Sequence, residues 1–195
     1  GYKGPNDDEA SPVSVLIVGE NGTVIQSSGT GPTAIGYIWK VPSENSHPTN
    51  TTSTLKSISG SSRFKFWIVG DDNFVALTED GGSSFYNQSQ LQNAGSDFTG
   101  TTNDIYAVDF VNEDEGFAVG ADGLIIATID GGLSWEIRDS PEEFRDFSFY
   151  DVIIFGYKGP NDDEASPVSV LIVGENGTDI QSSGTGFTAM GENGN

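Results

Sequence analysis

The stretch "GYKGPNDDEASPVSVLIVGENGT" stands twice in this chain, from Gly1 and again from Gly156. Residues 1–36 and 156–191 differ at three positions: Val24 becomes Asp179, Pro32 becomes Phe187 and Ile35 becomes Met190. A repeat constrains a fold more than any composition does. A unit too small to bury its own apolar face has to bury it on its neighbours. Two fainter repeats lie between the copies. "VGENGTVIQSSGTGPTA" from Val18 aligns without gaps with "VGDDNFVALTEDGGSSF" from Val69, "VGADGLIIATIDGGLSW" from Val119 and "VGENGTDIQSSGTGFTA" from Val173. The starts lie 51, 50 and 54 residues apart, a spacing that suits propeller blades and related repeat architectures.

The third repeat shows its elements most clearly. "IYAVDFV" (Ile105 to Val111) reads as a strand, "NEDEG" as a turn and "FAVG" as a second strand. "ADG" is a tight turn in which Gly123 is free to take positive φ. "LIIAT" and "SWEIRD" complete four short strands separated by Gly/Asp turns, the pattern of an antiparallel meander. The second repeat offers "TLKSIS", "FKFWIVG", "FVALT" and "SSFYNQS" in the same order. "SFYDVIIF", "VSVLIVG" and "IQSS" supply three strands around the second copy, and "GYIWKV" (Gly36 to Val41) supplies a fourth after the first copy. Several strands are apolar on both faces, as expected of a sheet held between two others. No segment carries a helical period, and "SPEEFRDF" has room for one helical turn at most. The expected fold is all-β: antiparallel four-stranded blades of a β-propeller, three to four per chain, as all or part of a larger ring or array.

"TEDGGSSF" (Thr78 to Phe85) and "TIDGGLSW" (Thr128 to Trp135) resemble the Asp-box, S/T-x-D-x-G-x-S/T-W/F, also called the BNR repeat. With "GFAVGADGLIIATIDGGLSWE" they resemble the repeats of the photosystem II assembly and stability factor family. Sialidases, sortilin-type receptors and some glucanases are related Asp-box propellers. The resemblance implies a structural box: Thr78, Asp80, Gly82 and Phe85 in one repeat, Thr128, Asp130, Gly132 and Trp135 in the next. The two aspartates are placed to accept turn amides, the glycines permit the turn, and the aromatics fill the gap between sheets. The first and last repeats depart from the box: Gly29 and Gly184 replace the aspartate, and Ala34 and Ala189 the aromatic. The resemblance also implies a scaffold that binds a protein partner.

The chain carries 29 Asp plus Glu against 8 Lys plus Arg, a formal charge of -21. Such a surface repels nucleic-acid phosphates and anionic membranes, so nucleic acid is not expected as a partner. There is no cysteine, which excludes disulfides and thiolate metal sites. The single histidine, His47, lies in a Pro/Ser/Asn-rich loop. No apolar run approaches the ~18 residues of a membrane-spanning helix. Arginine is limited to Arg63, Arg138 and Arg145, too few and too scattered for the arginine cluster of a sialidase. Many carboxylates are available for glycoside hydrolysis, among them Asp71, Asp72, Asp109, Glu113, Asp114, Glu115 and Asp122, but nothing in the pattern singles out a facing pair. Neither a catalytic residue nor a cofactor is expected. Calcium is the one ligand with hard donors in reach, at Asp7, Asp8 and Glu9 and again at Asp162, Asp163 and Glu164. Those residues lack the spacing of a calcium loop and read more simply as an acidic, solvated insertion.

Four N-x-S/T triplets, at Asn21, Asn50, Asn87 and Asn176, together with the absence of cysteine, favour an extracellular or secreted protein. The family resemblance adds thylakoid lumen or periplasm as the alternative. Gly1 in place of an initiator Met suggests a processed or excised chain.

The organisation expected is a partial blade over 1–47 (strands two to four), Asp-box blades over 48–98 and 99–145, and a first strand plus the copy over 146–195. The first copy has no first strand of its own. One route to a complete blade pairs residues 148–155 with residues 13–41, joining the chain ends. The other builds a fourth blade from 148–195. On that second route Asp179 stands where Val24, Val75 and Ile125 stand elsewhere, a position that should be buried, and the tail "GENGN" offers no replacement for "GYIWKV". The copy is therefore expected to be displaced, edge-exposed or packed on another molecule, with Phe149, Val152, Ile154 and Asp179 as assembly residues. The functional expectation is a non-enzymatic scaffold that self-associates through the duplicated segment. The alternatives are an assembly chaperone of the photosystem-factor type that binds a protein partner, and a glycan-binding or glycan-cleaving propeller.

Overall fold

A computed structural model describes residues 15–28, 38–40, 51–87, 103–155, 169–182 and 187–189. Among the described residues, fifteen strands form four antiparallel sheets. The first sheet holds β1 (Leu16–Val18), β2 (Val24–Ser28) and β3 (Ile38–Lys40). The second holds β4 (Leu55–Gly60), β5 (Phe66–Gly70), β6 (Phe74–Thr78) and β7 (Tyr86–Asn87). The third holds β8 (Ile105–Phe110), β9 (Gly116–Gly120), β10 (Ile125–Thr128) and β11 (Glu136–Ile137). The fourth holds β12 (Phe149–Phe155), β13 (Ser169–Gly174), β14 (Asp179–Ser182) and β15 (Phe187–Ala189). In every sheet sequential strands are neighbours, so each is a meander blade. The one short helix among the described residues outside the hairpin turns, Glu142–Phe144, falls in "SPEEFRDF".

The hairpin between second and third strands is made the same way four times. Asn21, Asp72, Asp122 and Asn176 have φ of 52°, 57°, 51° and 55°, each followed by a second residue with positive φ: Gly22, Asn73, Gly123 and Gly177. Two left-handed residues in succession make a turn whose twist matches that of the flanking strands, and Asn, Asp and Gly tolerate it best. The turn closes on a backbone hydrogen bond, Phe74 N to Asp71 O at 3.2 Å and Leu124 N to Ala121 O at 3.1 Å.

The sheets stack face to face in chain order. One apolar cluster joins the first and second sheets through Val24, Leu55, Ile68, Phe74 and Ala76. A second joins the second and third, where Trp67 stacks on Phe110 (ring centroids 3.5 Å apart, planes 8° apart) and donates Nε1–H to the Gly131 carbonyl at 2.9 Å. A third joins the third and fourth around Val119, Ile125, Phe149, Ile172 and Ile180. The first strands β4, β8 and β12 converge and are tied side chain to backbone. The Ser57 and Ser59 hydroxyls accept from the Val108 and Phe110 amides at 3.4 and 3.2 Å. Asp109 accepts from the Ser59 hydroxyl at 3.2 Å and from the Ile154 amide at 2.8 Å.

The duplicated segment takes the second of its two routes. Strand β12 pairs with β13 along Val152↔Ile172 and Ile154↔Val170, so residues 148–155 build a fourth blade instead of completing the first one. The reason is local: β13 lies nearest in sequence, and the inward side of β12 (Phe149, Val152, Ile154) drops into the core against the third sheet. Phe149 and Val152 are thus buried inside the chain, and Ile154 packs against the same cluster. The fourth blade also has a fourth strand, contrary to the expectation from its tail. Strand β15 returns along β14 through Ser182↔Phe187 and Ile180↔Ala189. Phe187 stands where the first copy has Pro32, which has no N–H to give a ladder. In the first sheet the closing strand comes later, at β3.

The recurring Val-Gly before each turn has a steric cause. A β-carbon on Gly70, Gly120 or Gly174 would run into the carbonyl oxygen of Thr54, Asp104 or Ser148, where the first strand passes. Gly19 has nothing within 4 Å of that position, and no first strand accompanies β1 among the described residues. Gly120→Ala should therefore cost about 1–3 kcal/mol of stability, the usual range for overpacking. Gly19→Ala, at an extended φ of -170°, should stay within about 0.5 kcal/mol of the parent. Urea denaturation of the two variants checks the contrast, and equal losses would contradict the steric reading.

Candidate functional site

In both boxed blades, the turn between third and fourth strands closes around one aspartate. Thr78 donates its hydroxyl to Asp80 Oδ1 at 2.8 Å and accepts the Gly82 amide at 2.9 Å. Asp80 in turn accepts the Ser84 amide at 2.9 Å and the Ser84 hydroxyl at 2.5 Å. Thr128, Asp130, Gly132 and Ser134 repeat the set at 2.8, 2.8, 2.9 and 2.5 Å. Gly81 N and Gly131 N reach the carbonyls of Phe64 and Asp114, pinning each box to the turn between first and second strands of its own blade. The aromatic that ends the box points between sheets. Trp135 meets Phe110 edge-on at 5.8 Å within the cluster of the second and third sheets, and Phe85 packs on that of the first and second.

Partial desolvation pushes the Asp80 and Asp130 carboxyls up. The hydrogen bonds from Ser84 or Ser134, from Thr78 or Thr128 and from the turn backbone outweigh it, leaving both below the ordinary 3.8. The carboxylates are thus occupied as acceptors inside the turn.

Other sequence candidates are dispersed. Asp109 is held between β4 and β12, as described above. Glu113, Asp114 and Glu115 lie on the exposed turn after β8, where Asn112 Oδ1 accepts the amides of Asp114 and Glu115 at 2.8 Å. Asp7, Asp8, Glu9, Asp162, Asp163, Glu164 and His47 lie outside the described residues. Among the described residues no group of three or more His, Asp or Glu is placed to hold a metal, and no helix is long and apolar enough to cross a membrane.

The opposite end of the blades, where second strands turn into third, carries a constellation that motif reading missed. Each first strand has a register shift at the same place: between Leu55 and Ser57, between Ile105 and Ala107, and between Phe149 and Asp151. The skipped residues are Lys56, Tyr106 and Tyr150. A bulge re-aims its side chain out of the alternating pattern, and three bulges in register on neighbouring strands put these side chains in one row. The Tyr106 and Tyr150 rings are 5.9 Å apart, and Lys56 Nζ lies 6.0 Å from the Tyr106 ring.

Acidic groups border the row. Lys56 pairs with Asp71 at 3.1 Å, the Asp72 amide donates to Asp104 Oδ1 at 3.0 Å, and Glu175 accepts the Ser148 amide at 3.0 Å. Desolvation, then the Asp104 charge, raises the Tyr106 pKa, so its phenol stays neutral well past physiological pH. The signal was present in the alignment of "LKS", "IYA" and "FYD", in which a large polar-tipped residue follows the first apolar residue of each first strand. Aromatic faces beside a carboxylate border suit a cationic or aromatic side chain on a partner.

Residues 99–160 match the sequence model of a family described as photosynthesis system II assembly factor YCF48. Among solved structures the chain is similar to YCF48 bound to a D1 peptide, at 21% identity and a TM-score of 0.55, over 74% of this chain and 41% of that one. It is also similar to YCF48 from Cyanidioschyzon merolae, at 12% identity and a TM-score of 0.54, over 83% of this chain and 44% of that one. The chain thus spans about two fifths of the length of these structures. No curated protein sequence matches it. The likeness is one of fold: the chain is an Asp-box β-propeller chain that resembles the photosystem II assembly factor.

The box aspartates carry a pH prediction. A carboxyl lowered in the folded state contributes stability that is present above its unfolded pKa and is lost as pH falls through the folded value. Acid titration followed by circular dichroism should show stability falling from about pH 4 downward. A chain with Asp80→Asn and Asp130→Asn together should start less stable at neutral pH and show a shallower acid limb. An acid limb of unchanged slope would remove these two groups from its cause.

Proposed function

We propose that the chain is a non-enzymatic scaffold that holds an extended segment of a protein partner on the rim bearing Lys56, Tyr106 and Tyr150. The observation that carries this is the in-register row of bulged residues, which turns three first strands into one continuous strip. Both tyrosines fall within the residues that match the assembly-factor family, and one similar structure is of YCF48 bound to a D1 peptide. The border of Asp71, Asp104 and Glu175, with the net charge of -21, favours a segment that brings Lys or Arg to the strip. The thylakoid lumen fits this reading better than a secreted location. The duplicated terminal blade makes the scaffold self-associating as well.

The test is titration of the 195-residue chain into a labelled D1 peptide, read by fluorescence anisotropy. Binding should weaken with ionic strength. Tyr106→Ala and Tyr150→Ala should each weaken it by about tenfold or more, as expected of central aromatic anchors, whereas Tyr106→Phe keeps most of the affinity. Binding that ignores both alanine substitutions would move the site elsewhere. Release of sugar in a glycosidase screen would replace the non-enzymatic reading.

A further inference from the structure

We propose that Lys56 sets the register of the partner on the rim: an extended segment lays an acidic residue against Lys56 and basic residues against Tyr106 and Tyr150, at alternate positions. The proposal deepens the rim-binding reading above and rests on it. It runs against the gross charge of the chain, which at -21 favours a basic residue at every position.

Its ground is a difference between equivalent positions in three blades. Leu55 pairs with Gly70, Ile105 with Gly120 and Phe149 with Gly174. Lys56 and Asp71, Tyr106 and Ala121, Tyr150 and Glu175 flank this same register point in turn. Of the three bulged residues only the first is cationic, and it is closed on the carboxylate of its own blade. Lys56 Nζ lies 3.1 Å from Asp71 Oδ1 and 6.0 Å from the Tyr106 ring.

The chain's own ammonium thus holds the place where a partner's cation meets Asp71. A second ammonium brought there exchanges like for like and meets the charge of Lys56 besides. A carboxylate fares better. The Lys56 ammonium has three N–H donors, and its side chain is 35% exposed, so it can serve Asp71 and a partner's acid together.

The next two positions are of the opposite kind. Among the described residues the ion pairs are Lys56 with Asp71 and Arg138 with Glu136. Asp104 and Glu175 belong to neither. Asp104 accepts the Asp72 amide and Glu175 the Ser148 amide. Tyr106 registers the local field: desolvation, then the Asp104 charge, raises its pKa, and Lys56 opposes them. A neutral ring beside a carboxylate that has no cation is where a partner's lysine or arginine gains most. The row advances by 6.0 and then 5.9 Å, against roughly 6.6 Å between alternate side chains of an extended chain. One acidic residue followed at alternate positions by two basic ones therefore falls in step with the three blades.

Two labelled peptides test this by fluorescence anisotropy against the whole chain. One has the core Glu-Thr-Lys-Thr-Lys and the other Lys-Thr-Lys-Thr-Lys, with serine at the ends of both. The native chain should bind the first tighter by about fivefold or more, the scale of a partly exposed charge contact turned from repulsion to attraction. Lys56→Met keeps the apolar stem and frees Asp71, and should abolish that preference. Lys56→Glu should reverse it. Lys56 is exposed, so circular dichroism melts of both variants should match the parent. A native chain that prefers the all-lysine core overturns the role of Lys56, as does a preference that survives Lys56→Glu. In either case the rim reading stands if Tyr106→Ala still weakens binding. Binding of neither peptide, or binding indifferent to Tyr106→Ala, overturns the rim reading and this register together.

Discussion

Every sheet in this chain is too thin to stand alone, and the burial of each on its neighbours is the constraint from which the other features follow. Trp67 shows it in one residue. Its ring leaves the second sheet, stacks on Phe110 of the third, and hands its indole proton to the carbonyl of Gly131 at the third sheet's box. Burial of a ring of that size contributes a few kcal/mol, far more than any single turn hydrogen bond. The Asp-boxes act one level below. They fix the turns that deliver Phe85 and Trp135 into the gaps, and their own net contribution is a set of hydrogen bonds of about 1 kcal/mol each. The same dependence explains why Asp109 bridges β4 and β12: the converging first strands need polar cross-links where apolar packing ends.

Much of this was legible in the residues. The Val-Gly-x-Asx/Asp pattern foretold the turns, because few residues accept two left-handed conformations in succession. The unbroken apolar runs in "FAVG" and "LIIAT" foretold strands covered on both faces. What the residues concealed was of two kinds. The fate of the second copy turned in part on β15, which begins at Phe187 where the first copy has Pro32, a residue with no amide hydrogen for a ladder. It depended also on whether β12 would join the near copy or the far one, a matter of chain distance and of the apolar side of Phe149, Val152 and Ile154. The row of Lys56, Tyr106 and Tyr150 was hidden because strand alternation assigns these residues without regard to bulges. Only the register shift shows that three dissimilar side chains occupy one repeated position.

The two ends of a blade are thus put to different uses. The end that carries the boxes is committed to internal bonds, with its aspartates saturated by Ser84 and Ser134 and its glycines pinned to neighbouring turns. The opposite end keeps its turns short and left-handed, and sets large side chains beside them. Loops and strand ends on a rigid support are where recognition usually resides, and here the support is the crossed-linked trio of first strands.

The bulges also impose a measure. Lys56, Tyr106 and Tyr150 succeed one another at about 6 Å, and alternate side chains of an extended polypeptide succeed one another at roughly 6.6 Å. A peptide laid across the blades in extended form keeps step with them, offering one side chain to each blade and turning the next one away. On the proposed reading the rim measures a partner as a ruler does, by the interval between its residues as much as by their kind, and each blade added to the stack lengthens the word by two.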